Sequence, residues 1–191
     1  MARRTDARTK AIRTAGRLFT EQGYGATGLS QIIEESGSPK GEFSFHFPAG
    51  KEQLAVEAIR MSGESVAAAL GDVLARSHDT AKLVGDFAAL LADVMEGSGF
   101  RRGSPIATVT LEMAATSEPI RAAAAAAYDS WIEIVAMSLR RDGRRQPEAN
   151  RLARHVVAAL EGALVLSRAH HSTTPLRETA KVLDVLLSTR S

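Results

Sequence analysis

Residues 37–51 contain the polar side chains of this chain that are best arranged to contact an anion. Ser38 can cap a short helix that begins with a proline and ends before Pro48, because the residue preceding a proline avoids helical angles. The free N–H groups and the dipole at a helix N-terminus favour phosphate. Lys40 adds a positive charge there, and Gly41 lets a partner approach the backbone closely. The pattern indicates contact with a nucleic acid.

The sequence contains no arrangement that is typical of catalysis or metal binding. It has no cysteine, which excludes disulfides and thiolate metal sites and fits a reducing cytoplasm. His170 and His171 are adjacent, so on a helix they point about 100° apart and cannot grip one metal as an i, i+4 pair would. His78 and His155 have no carboxylate at ligand spacing. We therefore expect a protein that is not an enzyme and that uses no metal and no cofactor.

Positive charge is concentrated at the start of the chain, although the formal net charge is only +2. Residues 1–20 contain six basic side chains and a single acid, Asp6. Local basicity of this kind is typical of a segment that binds nucleic acid. The alternative is a solvated basic face or a flexible tail. The basic side chains are Arg3, Arg4, Arg8, Lys10, Arg13 and Arg17.

Three predicted helices position these residues. After a disordered basic arm over residues 1–4, a first helix runs to about Gln22 and buries its apolar stripe of Ile12, Ala15, Leu18 and Phe19. A second covers residues 29–35, and the short third helix follows after a glycine. Two short helices joined by a tight turn form a helix-turn-helix, whose second helix fits the major groove of DNA.

Residues 8–55 resemble the DNA-binding domain of the TetR family of repressors. The resemblance rests on residues 15–19, 22–27, 31–33 and, above all, 37–51. In that last run the family commonly has tyrosine where this chain has Ser44, so the contacts with the DNA backbone are expected to differ. Phe43 and Phe47 are expected in the core, while the place of Phe45 stays open.

The resemblance implies a set of DNA-binding residues. Lys40, Gly41 and His46 would face the groove together with Ser44, and Thr27 and Lys51 would anchor backbone phosphates. For His46 the alternative is packing against the first helix. The complete predicted set is Thr27, Ser38, Lys40, Gly41, Ser44, His46 and Lys51.

The rest of the chain predicts longer helices and no strand. They cover residues 50–76, 80–96, 105–116, 118–139, 147–171 and 175–189. Residues 103–107, 111–112, 117–122 and 160–164 resemble the LmrA/YxaF-like branch of the family, which often has cysteine where Ser104 stands. We therefore predict an all-α protein of about nine helices. Residues 1–50 would form a three-helix DNA-binding domain, and residues 51–191 a helical domain for ligand binding and dimerisation.

The resemblance also implies a pocket for a small-molecule inducer in the second domain, and the absence of any sugar or phosphate site favours an apolar or aromatic ligand. Glu112 and Glu161 stand in apolar helical stretches, where a carboxylate needs a partner. Each would either face the pocket or, as we slightly prefer, pair with Arg101, Arg121 or Arg168. The candidate pocket residues are Phe87, Leu91, Met95, Phe100, Leu111, Met113, Tyr128, Trp131 and Leu166.

The last two helices carry more apolar surface than one face needs, which favours a homodimer through a four-helix interface as in the family; the alternative is a purely intrachain core. The predicted interface residues are Leu152, Val156, Ala159, Ala163, Leu176, Ala180, Leu183 and Leu187.

The resulting prediction is a cytoplasmic repressor without a membrane segment. It would bind a palindromic double-stranded operator as a dimer and leave it when an inducer binds. The alternatives are a regulator without any ligand and a helical small-molecule-binding protein or enzyme with no DNA role.

Overall fold

The computed structural model describes the backbone of residues 2–188 and the side chains of residues 7–188, and within that range the chain is all-α, as predicted. None of the helices in this range is both long and apolar enough to cross a membrane. The helices are α1 (Ala2–Gln22), α2 (Leu29–Ser36), α3 (Lys40–His46), α4 (Gly50–Arg76), α5 (Thr80–Gly97), α6 (Ala107–Met113), α7 (Glu118–Arg141), α8 (Gln146–His170) and α9 (Thr174–Ser188).

The first helix begins earlier than the sequence indicated. Its backbone is helical from Ala2, so the prediction of a disordered arm over residues 1–4 is wrong for the described residues 2–4. Further along α1, the predicted stripe of Ile12, Ala15, Leu18 and Phe19 is buried. This stripe therefore forms the core against which α2 and α3 pack.

Two stop signals define the short helices α2 and α3. Gly37 ends α2 in the left-handed region, with φ of 64°, which a glycine adopts without strain. Pro39 stands at the N-cap of α3, and no side chain caps that end. The predicted cap by Ser38 is wrong, because its hydroxyl lies 3.0 Å from Ser36 Oγ and contacts the carbonyl of Ala7.

Packing divides the chain into two compact units. The first contains the residues up to Glu64 together with Pro105–Ala127, and the second contains Ser65–Ser104 and the residues from Tyr128 onward. Helices α4 and α7 each contribute residues to both units. The boundary between these units does not lie after residue 50, where the sequence analysis placed a domain boundary. Two independent domains that meet after residue 50 stay a prediction.

In the first unit, α4 and α7 approach each other at Gly63. A Cβ placed on this glycine would lie 2.7 Å from the Cβ of Ala127 and 3.7 Å from Cδ1 of Ile106. Only a residue without a side chain fits here. Near the start of α4, Ser117 donates a hydrogen bond of 2.6 Å to Glu52 and so joins α4 to the start of α7.

In the second unit, α9 packs on α5 and α8. As predicted, Asp79 caps α5, and its carboxylate accepts the N–H of Lys82 at 2.8 Å. The predicted buried side of α5 is only partly correct. Leu83 and Phe87 are buried, but Leu90 and Val94 are exposed, because the buried face turns toward Ala88, Ala92 and Met95.

Candidate nucleic-acid interface

One face of α3 is open to solvent and carries the residues expected to meet DNA. Lys40, Gly41, Ser44 and Phe45 are all exposed, and their spacing of i, i+1, i+4 and i+5 places them side by side on a helix. A Cβ on Gly41 would meet no heavy atom within 4 Å. The Ser44 hydroxyl donates to the carbonyl of Lys40 at 3.1 Å. This surface, defined by these four residues, is called the α3 face below.

The opposite side of α3 anchors it. Phe43 and Phe47 are buried, as predicted, and their ring centroids lie 5.0 Å apart. Phe45, whose place the sequence left open, is 71% exposed and belongs to the α3 face. The three phenylalanines divide between core and surface because residues two apart on a helix point to nearly opposite sides, whereas residues four apart share one side.

Two of the predicted contact residues lie inside the unit. Thr27 is fully buried, and its hydroxyl donates to the carbonyl of Gly23 at 2.6 Å while it accepts the Gln22 amide at 3.1 Å. Ser38 is also buried. In this conformation both hydroxyls bond to the protein itself, so neither is presented to a phosphate. A role for them in DNA binding stays a prediction.

His46 is half-buried between aromatic rings. Its Nε2 atom is buried and has no hydrogen-bond partner, and its ring contacts the edges of Phe45 and Phe47. Gln53 donates to the backbone carbonyl of His46 at 3.2 Å. The groove contact by His46 stays a prediction, and so does the alternative of packing against α1, because the rings that His46 contacts belong to its chain neighbours.

Lys51 lies at the start of α4 against an aromatic ring. Its Nζ is 4.1 Å from the centroid of Tyr24, a cation–π distance. Burial lowers the pKa of the Lys51 ammonium, and the negative charge of Glu112 acts in the opposite direction. Burial also raises the pKa of Tyr24, and the charge of Glu52 adds to that rise.

Glu112 binds backbone N–H groups and not one of the three arginines that the sequence suggested. Its carboxylate accepts the backbone N–H groups of Tyr24 at 3.0 Å and of Gly25 at 2.6 Å. Arg121, one of the expected partners, instead pairs with Glu118, three residues before it. Two glycines around Tyr24 were the sequence signal that something approaches this turn closely, but nothing local identified a partner 88 residues away.

Internal ion pairs neutralise part of the basic charge on α1. Arg8 pairs with Glu57, and Arg17 pairs with Glu21 at 3.1 Å and with Glu35. The hydrogen bond to Glu35 is the main reason that the pKa of Arg17 is raised. The basic segment is thus a structural element of the first unit as well as a source of positive charge.

The predicted ligand residues are distributed unevenly over the two units. Phe87, Met95 and Trp131 are buried in the second unit, and Tyr128 meets Trp131 edge-on with ring centroids 5.2 Å apart. Leu91 and Phe100 are half-buried in the same unit. Leu166 and Leu111 are exposed, so the structure does not place them in an interior site. Met113 is half-buried in the first unit.

Glu161 stands in the interior of the second unit with polar neighbours. Tyr128 donates its hydroxyl to Glu161 at 3.2 Å, and Ser104 also hydrogen-bonds to this carboxyl. Burial raises the pKa of Glu161, and the two hydrogen bonds oppose that rise. Burial, followed by the charge of Glu161, raises the pKa of Tyr128 as well. The expected pairing of Glu161 with an arginine is replaced by this Tyr128–Glu161–Ser104 cluster.

Most of the predicted dimer residues pack within the chain. Leu152, Ala159 and Ala180 are half-buried. The fully buried members are Val156, Ala163, Leu176, Leu183 and Leu187.

Part of the surface of α8 and α9 is open, and the predicted interface residues Ala159 and Leu183 line it. An open groove of about 500 Å³ lies there, lined by Ala159, Leu166 and Val182 among others. The exposed apolar side chains of the two helices, called the α8–α9 patch below, are Val165, Leu166, Val182, Val185 and Leu186.

The described residues contain no cluster of three or more histidine, aspartate or glutamate side chains that could hold a metal ion. In the first unit, two lysines are suited to phosphate, an exposed one on α3 and a second one at the start of α4, whereas the backbone N–H groups of Tyr24 and Gly25 in the turn before α2 are already bound by Glu112.

Two known families match this chain in sequence. Residues 11–58 match the family described as bacterial regulatory proteins, tetR family. Residues 80–182 match the family described as transcriptional regulator LmrA/YxaF-like, C-terminal domain.

Individual relatives match over nearly the whole chain. The uncharacterized HTH-type transcriptional regulator YxaF of Bacillus subtilis is 36% identical over 187 residues, which cover 98% of each chain. The HTH-type transcriptional regulator LmrA of the same species is 36% identical over 182 residues, 95% of this chain and 97% of LmrA. The crystal structure of a TetR transcriptional regulator from Chloroflexus aurantiacus is 28% identical, with a TM-score of 0.83 over 100% of this chain and 98% of its own. None of the three is named as an enzyme.

Proposed function

The chain belongs to the TetR family of bacterial regulatory proteins, which are DNA-binding transcription regulators, and from this membership we propose that it is a repressor that binds a palindromic operator as a homodimer and is released by a small apolar or aromatic ligand. The alternative of a ligand-binding protein or enzyme without a DNA role is not retained, because the relatives are transcriptional regulators.

The α3 face is the observation that carries the proposal for DNA. It presents a charge, an open backbone at Gly41, a hydroxyl and an apolar ring next to one another. A lysine can reach guanine or phosphate oxygens, and an exposed apolar ring can contact the methyl group of thymine. Lys51 would add a backbone phosphate, since a cation at a helix N-terminus and the free N–H groups there act on the same anion.

The α8–α9 patch supports the dimer. Val182 and Val185 are each 68% exposed, and large apolar side chains clustered on one surface commonly mark an interface. An isologous dimer would present two α3 faces, and a palindromic operator repeats its half-sites at about 34–36 Å, one turn of DNA. We therefore propose the exposed side of α8 and α9 as the interface, in place of the side that is buried within the chain.

The interior of the second unit supports an apolar or aromatic ligand. Phe87, Met95 and Trp131 are buried there and would give a ligand apolar and adaptable walls, and the Tyr128–Glu161 pair would give it a polar partner. A ligand that binds better to a form with low operator affinity would shift the population toward that form, and operator DNA would oppose ligand binding by the same factor.

Fluorescence anisotropy with duplexes from the region upstream of the protein's own gene tests the proposal. We expect tight binding to one palindromic duplex, a steep fall in affinity with salt, and much weaker binding to a shuffled duplex of the same composition. Equal affinity for both duplexes would contradict the proposal of a specific operator. A screen of apolar and aromatic compounds against the bound complex then tests release.

A further inference from the structure

Glu112 reaches from α6 into the turn that joins α1 to α2. Each of its two carboxylate oxygens accepts one backbone N–H, from Tyr24 at 3.0 Å and from Gly25 at 2.6 Å. Two successive N–H groups that converge on one anion form a concave binding site, and hydrogen bonds to a charged acceptor are stronger than neutral ones. The Glu112 carboxylate therefore adds a long-range contact to a turn whose Tyr24 ring also packs against Phe19, with ring centroids 5.5 Å apart.

The glycines of this turn make the contact possible. A Cβ on Gly23 would lie 2.4 Å from Oε1 of Glu112, and one on Gly25 would lie 3.1 Å from Oε2. Gly23 also has φ of 91°, which residues with side chains rarely adopt. The positive φ of Gly23 and the absence of side chains at Gly23 and Gly25 thus leave room for the Glu112 carboxylate beside the turn.

The same turn supports the lysine proposed to bind phosphate. The Tyr24 ring, whose backbone N–H is held by Glu112, lies under the ammonium of Lys51 at 4.1 Å. Thr27 closes the turn through its hydroxyl bond to Gly23, and α2 begins two residues later. A change at Glu112 would therefore move the platform on which Lys51 rests.

We propose that Glu112 is a positioning residue for DNA binding: its carboxylate fixes the Tyr24 turn and, through the Tyr24 ring, holds Lys51 in place for a backbone phosphate of the operator. This inference rests on the proposed function. A carboxylate is required because both of its oxygens accept hydrogen bonds. The amide of glutamine would turn its NH₂ group toward one of the two N–H donors.

The test compares Glu112→Gln with Glu64→Gln in the full-length protein. Glu64 is an exposed glutamate on α4 of the same unit, so both variants remove one negative charge. Because the charge of Glu112 also acts on Lys51, its removal alone would favour phosphate binding, and weaker binding by Glu112→Gln would run against that charge effect. With the specific duplex, we expect Glu112→Gln to bind about tenfold more weakly than Glu64→Gln. We also expect its salt slope to fall by about one, as it should in Lys51→Ala.

A double-mutant cycle separates positioning from a general structural role. If Glu112 acts through Lys51, then adding Glu112→Gln to Lys51→Ala changes the affinity no more than adding Glu64→Gln does. Additive losses in the cycle would overturn the inference. The inference would also be overturned if the wild type binds the specific duplex and Glu112→Gln and Glu64→Gln bind that duplex with equal affinity. A wild type that binds no duplex specifically would instead overturn the proposed function, and the inference with it.

A second pair of variants applies if Glu112→Gln does not fold. The methyl group of Gly25→Ala would lie 3.1 Å from the Glu112 carboxylate. Gly28→Ala instead adds its methyl group in open space, just before α2. We expect Gly25→Ala to lose several-fold more operator affinity than Gly28→Ala. Equal affinities of these two variants would also overturn the inference.

Discussion

The direction of single side chains decides what α3 presents. Phe43 and Phe47 point into the first unit, and Phe45 points out of it, although all three have the same chemistry. The exposed ring is surrounded by groups that suit a DNA groove. An apolar side chain that is left in water at such a place gains from contact with a thymine methyl group.

We predict that Phe45→Ala weakens binding to the specific duplex roughly fivefold, which corresponds to about 1 kcal/mol, because the lost contact is with a base. The shuffled duplex should bind as before, and the free energy of unfolding should change little. Leu111→Ala, which truncates another exposed apolar side chain of the first unit, is the control. Parallel losses on both duplexes would assign Phe45 to general backbone contact instead. Anisotropy titrations of the two duplexes provide the measurement.

A second prediction at this scale concerns Glu161. Its pKa is raised in the folded protein by burial, so the folded state keeps its proton at pH values where the unfolded chain has released it. The folded state then binds more protons than the unfolded state, and stability falls as pH rises above the ordinary glutamate value of 4.5 until the raised pKa is passed.

Glu161→Gln should remove this fall, so its stability relative to the wild type should increase as pH rises from about 4 to 7. Guanidinium unfolding at a series of pH values measures the difference. Glu178→Gln, at an exposed position of α9, is the control for the loss of one carboxyl group. A pH-independent difference for Glu161→Gln would mean that the carboxyl titrates alike in the folded and unfolded states.

The close approach of α4 and α7 depends on the absence of a Cβ at Gly63. Gly63 in α4 faces Ala127 in α7 at a distance that leaves no room for a methyl group. Gly71, two turns further along the same helix, faces open space. A glycine costs stability in a helix unless packing requires it, so the two positions should respond to alanine in opposite directions.

We predict that Gly63→Ala destabilises the protein by about 1–3 kcal/mol, because the inserted methyl group overpacks the crossing of the two helices. Gly71→Ala should stabilise it by up to about 1 kcal/mol, because the helix gains propensity without a clash. Chemical denaturation of both variants measures the difference. Stabilisation by both substitutions would show that α4 and α7 separate at no appreciable cost.

For the molecule as a whole, the proposed dimer would bring two copies together at the α8–α9 patch. The α8–α9 patch is apolar and exposed, while the other side of the same helices is already used by α5 and by the contact between α8 and α9. A second copy that covered this patch would remove its apolar area from water without disturbing the core.

We predict that Val185→Glu raises the dimer dissociation constant about tenfold or more, because an unpaired carboxylate would be buried in the interface of each subunit. Met137→Glu introduces the same charge at an exposed site on α7 and should leave the dimer intact. Sedimentation velocity over a range of protein concentrations distinguishes the two. If both variants remain dimeric to the same extent, the interface lies elsewhere.

Local sequence patterns were sufficient to predict the helices, their order and the family. Glycine and proline end helices through local backbone sterics, and apolar periodicity acts over a few turns, so Gly37, Pro48 and the stripe from Ile12 to Phe19 were sufficient. The core positions of Phe43 and Phe47 follow from the same local pattern together with the family resemblance.

Contacts between groups that are far apart in the chain could be read only from the folded protein. The partner of Glu112 is a turn 88 residues earlier, the hydroxyl of Ser38 bonds to Ser36 and to the carbonyl of Ala7 instead of capping α3, and α9 could bury either of two apolar faces. Such choices depend on the competition of many surfaces for the same interior, and no short stretch of sequence contains that information. This is why the α3 face was predictable in outline, whereas the carboxylate proposed to position Lys51 became visible only in the folded chain.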